Sequence, residues 1–382
     1  MSNSNITRNK KLLFLVTEDW YFCSHRLSLA CAAKNAGYDV VVATHVQIHG
    51  EIITQKGLRI LEIKMRRRSS GLVGELYALL DVIRIYKREQ PDIVHHVALK
   101  PVLVGSVAAI FYKKIKVVNA IAGLGFVFSS KRLSARLLKP VIMLSLRWLL
   151  NQKVSRVIVQ NPDDFGLLIE SMNIQRDKIA LIRGAGVDIS SFTYIPEPDG
   201  DVVVVLVARM LWDKGIAEYV EAVRRLKQRG LSFRAVLVGS PDDDNPASIT
   251  TTQLEKWNEE GFVEWKGHVD NIASVWSNSH ISILPSYYGE GVPKSLIEAA
   301  ACGRPIVTTD MPGCREIVKH QVNGFLVPPR DVDSLASAIS NLILDKTLRE
   351  RMGRAGRERV EAEFSEDIVI NKTLALYESL LQ

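Results

Sequence analysis

Short apolar runs alternate with stretches of helical spacing along most of the chain. Residues 11–17 form a nearly continuous apolar run, which is typical of a parallel strand buried on both faces. Residues 25–36 then show helical spacing that ends at Gly37, and a second apolar run occupies residues 38–43. Strand, helix and strand at this rhythm predict the βαβ units of an open parallel sheet.

The same rhythm continues to the C-terminus and predicts two successive Rossmann-like halves. Two prolines and a loss of periodicity mark a linker near residues 191–200, so the predicted domains cover residues 1–195 and 196–364, followed by a helix at 365–382. The other predicted strands are 58–63, 92–97, 117–122, 156–159, 202–207, 234–238, 261–265, 280–284, 305–308 and 324–327, and the other predicted helices are 74–88, 216–228 and 294–302.

Length, composition and cysteine usage narrow the class of protein. A chain of 382 residues suggests more than one compact core, and 47% hydrophobic with 24% charged residues is ordinary for a globular protein. The four cysteines show no metal-binding spacing, so we expect reduced thiols and a cytoplasmic protein. The N-terminus is too polar for a signal peptide, and no apolar run approaches the roughly 18 residues that span a bilayer.

The charge is distributed unevenly between the two halves. Residues 1–195 carry 28 Lys and Arg against 14 Asp and Glu, whereas residues 196–382 carry 21 against 28. This asymmetry indicates that one domain works near anionic phosphate or a membrane surface. Nucleic acid is not an expected partner, because the chain has no basic-aromatic repeat, zinc module or RNP-like segment.

The stretch from residue 286 to 300, S-Y-Y-G-E-G-V-P-K-S-L-I-E-A-A, is the most informative one. It follows a predicted strand and enters a helix at Pro293, so its backbone N–H groups and the helix start would attract a phosphate. Glu290 and Glu298 would repel phosphate, and we therefore expect them to bind the hydroxyl groups of the same ligand. A sugar nucleotide has hydroxyl groups at each end and a diphosphate in the middle. The alternative is an ordinary loop whose two glutamates form a solvated helix face.

A second motif, A-R-M-L-W-D-K-G at residues 208–215, follows the predicted strand 202–207. Arg209 and Lys214 would then lie at the carboxyl end of a strand, where open α/β sheets bind ligands. Two cations there can neutralise a diphosphate and stabilise the negative charge that develops as it leaves. The alternative is a pair of solvated surface cations.

Both motifs resemble those of retaining GT-B glycosyltransferases of the GT4 type. The E-x7-E spacing of Glu290 and Glu298 resembles the signature of that family, and residues 208–215 resemble its G-R-L-x-x-x-K-G element with Ala208 in place of glycine. The resemblance implies an α/β fold of the GT-B class, with two Rossmann-like domains facing across a cleft. It also implies that the C-terminal helix packs back onto the first domain.

The resemblance further implies roles for residues of the second domain. Glu298 would hold the ribose hydroxyls, Glu290 the hydroxyls of the donor sugar, and Arg209 with Lys214 the departing diphosphate. No metal or other cofactor is expected, because these cations would neutralise the diphosphate and no D-x-D arrangement lies on a suitable loop. The remaining donor-binding candidates are the loop residues Gly291, Val292, Pro293 and Lys294, and His268 in the segment G-H-V-D-N beside the nucleotide base.

The first domain departs from the family pattern. Residues 19–26, D-W-Y-F-C-S-H-R, lack the family's Gly-Gly pair, and residues 119–126, N-A-I-A-G-L-G-F, lack its acceptor-side histidine. The G-L-G resembles instead a subgroup that glycosylates lipid-diphosphate-linked sugars. His25 and Arg26 lie at a predicted helix start, and His96 and Lys100 lie at the end of the predicted strand 92–97. Each pair could face the acceptor. The alternatives are that the first pair only caps the helix and that His96 is a packing residue.

Two basic segments are candidates for contact with an anionic membrane surface. Arg66, Arg67 and Arg68 form a predicted basic loop, and residues 131–150 form an amphipathic helical region with Leu, Met and Trp beside lysines and arginines. That composition suits a helix lying in the headgroup layer. The alternative is a core helix with a solvated basic face.

Taken with these features, the resemblance implies a retaining glycosyltransferase. It would transfer a hexose or N-acetylhexosamine from a nucleotide-diphosphate sugar, with UDP the expected nucleotide. The acceptor would be a polyprenyl-diphosphate-linked saccharide in bacterial surface-glycan assembly, and the expected location is the inner face of the cell membrane, with peripheral attachment. The alternative is a GT-B-shaped nucleotide-sugar-binding regulator or sugar-phosphate epimerase without transferase activity.

Overall fold

The computed structural model describes residues 9–67, 71–112, 114–123 and 133–382, and in them the chain forms two compact units. The first unit contains the residues up to Ala122, the stretch that ends at Ile182, and Ile370–Gln382. The second contains Gly123 and Arg183–Val369. The boundary predicted at residue 195 therefore lies inside the second unit, and most of the final helix belongs to the first.

A parallel sheet forms the centre of the first unit. Its strands are β1 (Lys11–Glu18), β2 (Asp39–His45), β3 (Arg59–Glu62), β4 (Ile93–Val97), β5 (Lys116–Ile121), β6 (Ser155–Val159) and β7 (Ile179–Leu181). They lie in the order β3-β2-β1-β4-β5-β6-β7. The order reverses between β1 and β4, and the carboxyl ends of the strands at such a reversal are where open α/β sheets bind ligands. The short edge strand β7 was not predicted, because three residues carry too little pattern.

Helices pack on the first sheet and complete its core. They are α1 (Asp19–His25), α2 (Leu27–Asn35), α3 (Gly50–Gln55), α4 (Gly71–Glu89), α5 (Leu99–Ile110), α6 (Leu133–Leu150) and α7 (Pro162–Glu170). Leu13 and Leu15 of β1 and Val94 of β4 are fully buried against Val82 of α4. This explains the continuous apolar runs, since each central strand is covered on both faces.

The helix predicted at residues 25–36 corresponds to α2, and it is preceded by a separate helix, α1, that was not predicted. Helix α1 starts directly after β1, and α2 follows it after a single residue. The buried carboxylate of Asp19 holds the start of α1 against a distant loop, because it accepts hydrogen bonds from the backbone N–H groups of Trp20 at 2.7 Å, Gln47 at 2.7 Å and His49 at 2.8 Å. The hydrophobic pattern could not predict α1, a short helix whose start is held by a side chain bonded to a distant loop.

The second unit repeats the architecture. Its strands are β8 (Val203–Val207), β9 (Arg234–Val238), β10 (Glu264–Trp265), β11 (Ile281–Leu284), β12 (Ile306–Thr309) and β13 (Gly324–Val327), in the order β10-β9-β8-β11-β12-β13. Every pairing of neighbours is parallel. The order reverses between β8 and β11, which places a second expected ligand position at the carboxyl ends of these two strands.

Helices follow most strands of this unit along the chain. They are α8 (Ile216–Gln228), α9 (Thr251–Glu259), α10 (Ile272–Ser277), α11 (Lys294–Ala301), α12 (Cys314–Ile317), α13 (Val332–Leu344) and α14 (Lys346–Glu363), and the chain ends with α15 (Glu366–Leu381). Apolar residues of β8, β9 and β11 pack against α8 and α13 in one buried cluster. The two-domain α/β fold predicted from the sequence is confirmed.

Candidate functional site

Two loops meet where β8 and β11 end side by side. The loop after β8 carries Arg209 and Lys214, and the loop after β11 carries Glu290 before it enters α11, which carries Glu298. The predicted acids and bases are far apart in sequence, yet they belong to neighbouring loops at one edge of one sheet.

Lys214 and Glu290 form a direct ion pair within this edge. The Nζ atom of Lys214 lies 2.5 Å from Oε2 of Glu290, and the two side chains are only 17% and 14% exposed. The carbonyl oxygen of Asp213 holds the loops together by accepting hydrogen bonds from Ser286 Oγ at 3.0 Å and from the Tyr287 backbone N–H at 3.2 Å. The pair thus offers a cation suited to a phosphate beside a carboxylate suited to sugar hydroxyls.

Two glycines allow the loops to approach this closely. Gly215 has φ of +73° and Gly313 has φ of +83°, a region that other residues adopt only with strain. A side chain at Gly215 would collide with the carbonyl oxygen of Pro285, and one at Gly313 would collide with that of Gly291. Backbone packing on both sides therefore fixes the position of the Glu290 loop.

Glu298 lies one turn into α11 and is 8% exposed. Burial raises its pKa from 4.5 to about 7, and the ammonium group of Lys294 opposes this shift from 3.8 Å away. A carboxyl group that is partly protonated near neutral pH can both donate and accept hydrogen bonds, which suits it to paired hydroxyl groups. Pro293 is the N-cap rather than the first helical residue, since α11 begins at Lys294.

Arg209 and His268 lie at the same edge of the sheet but make other contacts. The guanidinium of Arg209 pairs with Asp242, which follows β9, and its side chain is 41% exposed. His268 follows β10, and its Nε2 lies 3.2 Å from Asp270 Oδ1 in an exposed position. The structure therefore pairs Lys214 with the predicted acid Glu290, whereas Arg209 pairs with Asp242, which was not predicted.

Sequence reasoning missed three side chains beside the Lys214–Glu290 pair. Burial raises the pKa of Asp213, and the positive charges of Lys214 and Arg330 oppose this shift. The guanidinium of Arg330 lies 4.2 Å from the centroid of the Tyr287 ring. Asp213 and Tyr287 stand inside the two motifs and could have been proposed from them. Arg330 follows β13 in a segment without a motif, so the sequence carried no signal for it.

The acceptor-side candidates of the β1 end are only partly where they were expected. His25 ends α1 instead of starting a helix, and its ring stacks on Tyr21 with a centroid separation of 4.2 Å. Arg26 precedes α2 and is 5% exposed. Its Nη1 donates to the carbonyl oxygen of His25 at 2.9 Å, and burial lowers the pKa of its guanidinium. Arg26 is thus an interior residue of the first unit.

The expectation that His96 faces an open edge is wrong. Its ring is fully buried within β4, with Nε2 2.8 Å from the hydroxyl of Tyr86 and Nδ1 2.8 Å from Oδ1 of Asn119. Burial lowers the pKa of His96 to about 4, so it is a neutral packing residue at physiological pH. Lys100 lies in the first turn of α5 and pairs with Glu75 at 2.7 Å. Strand alternation could not reveal this, because β4 is buried along its whole length and both of its adjacent histidines lie in the interior.

The predicted membrane segments lie partly outside the described residues. Arg68 and residues 131–132 are outside them, as are the side chains of residues 133–139. The predicted helical region is largely helix α6, whose exposed side chains beyond residue 140 are Val141, Leu144, Arg147 and Trp148. Among the described helices, none is long and apolar enough to cross a bilayer.

Helix α4 carries a second exposed apolar stripe that the sequence analysis did not identify. Val73, Leu76, Tyr77 and Leu80 are 68%, 56%, 64% and 38% exposed, and their spacing places them on one helix face. The same face continues toward the C-terminal end of α4 as basic residues, namely Arg84, Lys87 and Arg88. Helix α5 packs against both α4 and α6.

Known proteins resemble the chain along both units. Residues 11–161 match the family described as glycosyl transferase 4-like, and residues 191–359 match glycosyl transferases group 1. The N,N'-diacetylbacillosaminyl-diphospho-undecaprenol alpha-1,3-N-acetylgalactosaminyltransferase of Campylobacter jejuni is 25% identical over 94% of this chain and 95% of its own. The capsular polysaccharide biosynthesis glycosyltransferase CapM of Staphylococcus aureus is 26% identical over 98% of each chain.

A solved structure gives the same result for the fold. HepE of Anabaena, determined in complex with UDP-glucose, superposes with a TM-score of 0.78 at 19% identity, over 97% of this chain and 99% of that one. The predicted GT-B fold class is therefore confirmed. With both family matches in chain order, the protein belongs to the glycosyltransferases that combine a GT4-like domain with a group 1 domain.

Proposed function

We propose that this glycosyltransferase transfers a hexose or N-acetylhexosamine from UDP to a saccharide carried on polyprenyl diphosphate, with retention of configuration. The observation that carries the proposal is the Lys214–Glu290 pair at the β8/β11 reversal, in which Glu290 lies on the loop that leads into α11, the helix that carries the buried Glu298. Such a set can bind a ligand whose middle is anionic and whose ends carry hydroxyl groups. The names of the Campylobacter and Staphylococcus relatives support the acceptor class and its use in surface-glycan assembly.

The ion pair suggests how the donor is bound. The diphosphate would pair with the ammonium group of Lys214. The carboxylate of Glu290, released from Lys214, would then accept hydrogen bonds from the sugar hydroxyls, so each charged group exchanges one partner for another. Arg209 would make the same exchange with Asp242 at a more exposed position. The backbone of Gly291, Val292 and Lys294 at the start of α11 would bind phosphate oxygens, because helix starts attract anions.

The transfer step can be written with every atom and charge placed. The bond between the sugar C1 and the β-phosphate oxygen breaks, and UDP leaves with the electron pair. The acceptor hydroxyl oxygen bonds to C1 on the same face, and its proton passes to the departing phosphate. Lys214 and Arg209 would stabilise the charge that develops on that phosphate. We propose that no metal is required, in which case EDTA should leave the rate unchanged.

The acceptor and the membrane would be served by the first unit. We propose that a lipid-linked saccharide binds near the carboxyl ends of β1 and β4, where Lys100 and His25 are the least buried candidates. The stripe of Val73, Leu76 and Tyr77 on α4, followed by basic residues, would rest on an anionic bilayer at the inner face of the membrane. Basic residues beside an apolar stripe combine electrostatic attraction to anionic lipids with burial of apolar side chains, and these two interactions hold interfacial helices.

A donor screen tests the proposed reaction. Purified protein is incubated with UDP-, GDP- and ADP-sugars, with and without a bacterial lipid extract, and release of free nucleotide is measured. The expected result is release of UDP that depends on the lipid extract. Binding of UDP without transfer to any lipid acceptor would indicate the alternative, a nucleotide-sugar-binding regulator.

A further inference from the structure

Arg330 is held in an unfavourable backbone conformation beside the donor loop, which is the segment of residues 285–293 between β11 and α11 that carries Glu290. It follows β13 after two prolines and has φ of 64°, a left-handed conformation that non-glycine residues adopt at a cost. The residue is exposed, so burial of its side chain does not offset that cost. A strained residue that is kept at the edge of a site is a reason to look for a role in function.

The contacts of Arg330 point toward the Lys214–Glu290 pair. Its guanidinium stacks over the ring of Tyr287 at 4.2 Å, and Tyr287 stands three residues before Glu290 on the same loop. The backbone of Tyr287 is bonded to the carbonyl oxygen of Asp213 at 3.2 Å, the residue next to Lys214. One stacking contact thus acts on a residue that is linked to both members of the pair.

The strand order makes this contact a long reach. Strand β13 lies at the edge of the sheet, beyond β12, whereas the donor loop follows β11. The contact between Arg330 and Tyr287 therefore joins the end of β13 to the loop after β11, two strands away. A cation stacked on a half-buried aromatic ring gives a gain comparable to the backbone cost, so the stability of the fold alone gives little reason for an arginine at this position.

We propose that Arg330 is a positioning residue for the donor sugar: by stacking on Tyr287 it holds the loop that presents Glu290 to the sugar hydroxyls. The expected change in the donor KM rests on the proposed function, whereas the expected change in the mobility of the loop does not. A positioning role for the sugar end predicts a selective effect. Binding of the nucleotide-sugar should suffer more than binding of UDP, which lacks the sugar and keeps its contact with the start of α11.

Arg330→Gly is the informative variant, because glycine adopts the observed φ without strain while removing the guanidinium. We expect the KM for the donor to rise at least fivefold, the Kd for UDP to change less than twofold, and the midpoint of urea unfolding to stay the same or increase. Arg330→Lys should recover part of the loss, since an ammonium group can also lie over an aromatic ring. Tyr287→Leu, which removes the ring under the guanidinium, should behave like Arg330→Gly.

Gln321→Gly supplies a matched control. Gln321 is also a non-glycine residue in the left-handed region, with φ of 63°, and it is exposed near the other end of β13. The substitution relieves the same kind of strain away from Tyr287, and it should leave the donor KM unchanged. An equal rise in KM in Gln321→Gly, or a wild-type KM in Arg330→Gly, would overturn the proposal.

Hydrogen–deuterium exchange provides a readout that does not need turnover. Amides of residues 286–292 should exchange several-fold faster in Arg330→Gly than in wild type and Gln321→Gly. Unchanged exchange there would overturn the positioning role whatever the activity is. If the wild-type protein turned over no nucleotide-sugar, the proposed function would fail while the exchange result would still decide the role of Arg330.

Discussion

Replacing Glu298 with Gln should stabilise the ligand-free protein above neutral pH. The carboxyl group is 8% exposed, and burial raises its pKa from 4.5 to about 7. Between these two values the unfolded chain has released the proton that the folded chain still holds. The free energy of unfolding therefore decreases as the pH rises through this window, and the decrease is complete above pH 7.

The size of the effect follows from the same two numbers. A displacement of the pKa from 4.5 to about 7 corresponds to about 3 kcal/mol of unfolding free energy at pH 8. Glutamine has nearly the same shape and cannot ionise, so the variant avoids this cost. We expect Glu298→Gln to be more stable than wild type by up to about 3 kcal/mol at pH 8, and to lose that advantage as the pH falls toward 4.5.

Urea unfolding followed by circular dichroism, at pH 5 and at pH 8, measures this difference. The comparison must be made between variants, because buried His96, whose pKa is lowered to about 4, acts in the opposite direction over an overlapping window. Glu255→Gln, on an exposed face of α9, controls for the change in net charge. A difference between wild type and Glu298→Gln that does not vary with pH would refute the reasoning. The same variant should be less active if Glu298 holds the ribose.

Three further predictions address the loop geometry, the interior of the first unit and the membrane surface. Gly313→Ala should raise the donor KM at least tenfold. Gly230→Ala should not, because Gly230 has a similar φ of +86° but a Cβ there would have no neighbouring atom within 4 Å. Equal effects would show that only backbone strain matters. Tyr86→Phe removes the hydroxyl bonded to buried His96. It should lower the unfolding free energy by about 1 kcal/mol and leave kcat/KM unchanged. A large fall in activity at wild-type stability would instead indicate that His96 acts in the site. Leu76→Ser combined with Tyr77→Ser should reduce flotation with anionic vesicles, whereas Leu344→Ser, at an exposed position of the second unit, should not; equal flotation of all three proteins would remove α4 from the membrane surface.

The regular part of the fold could be predicted from the sequence because strands buried on both faces leave continuous apolar runs. Twelve of the strands were predicted for that reason, and β7 was not, since its three residues (Ile179–Leu181) are too few to form a pattern. Helix α1 was also missed. Its start is held by hydrogen bonds that the Asp19 carboxylate accepts from a distant loop, and hydrophobic periodicity does not record such bonds.

The donor-side residues were easier to predict than those of the first unit. Glu290, Glu298, Arg209 and Lys214 stand in motifs whose order along the chain resembles that of a known family, and the strand order explains why the loops that carry them adjoin. His96 was misassigned because its burial is decided by packing against Tyr86. Arg330 was missed because its contact with the donor loop depends on a single backbone angle and on the order of the strands.

The affinity of UDP for Lys214→Ala and Glu290→Gln tests the central claim most directly. If Lys214 binds the diphosphate and Glu290 binds only the sugar, calorimetry should show UDP binding at least tenfold weaker in Lys214→Ala. Binding in Glu290→Gln should be equal to wild type or tighter, because the lysine no longer has a carboxylate partner to leave. Unchanged affinity in Lys214→Ala, or an equal loss in both variants, would contradict the assignment of phosphate to one member of the pair and sugar to the other.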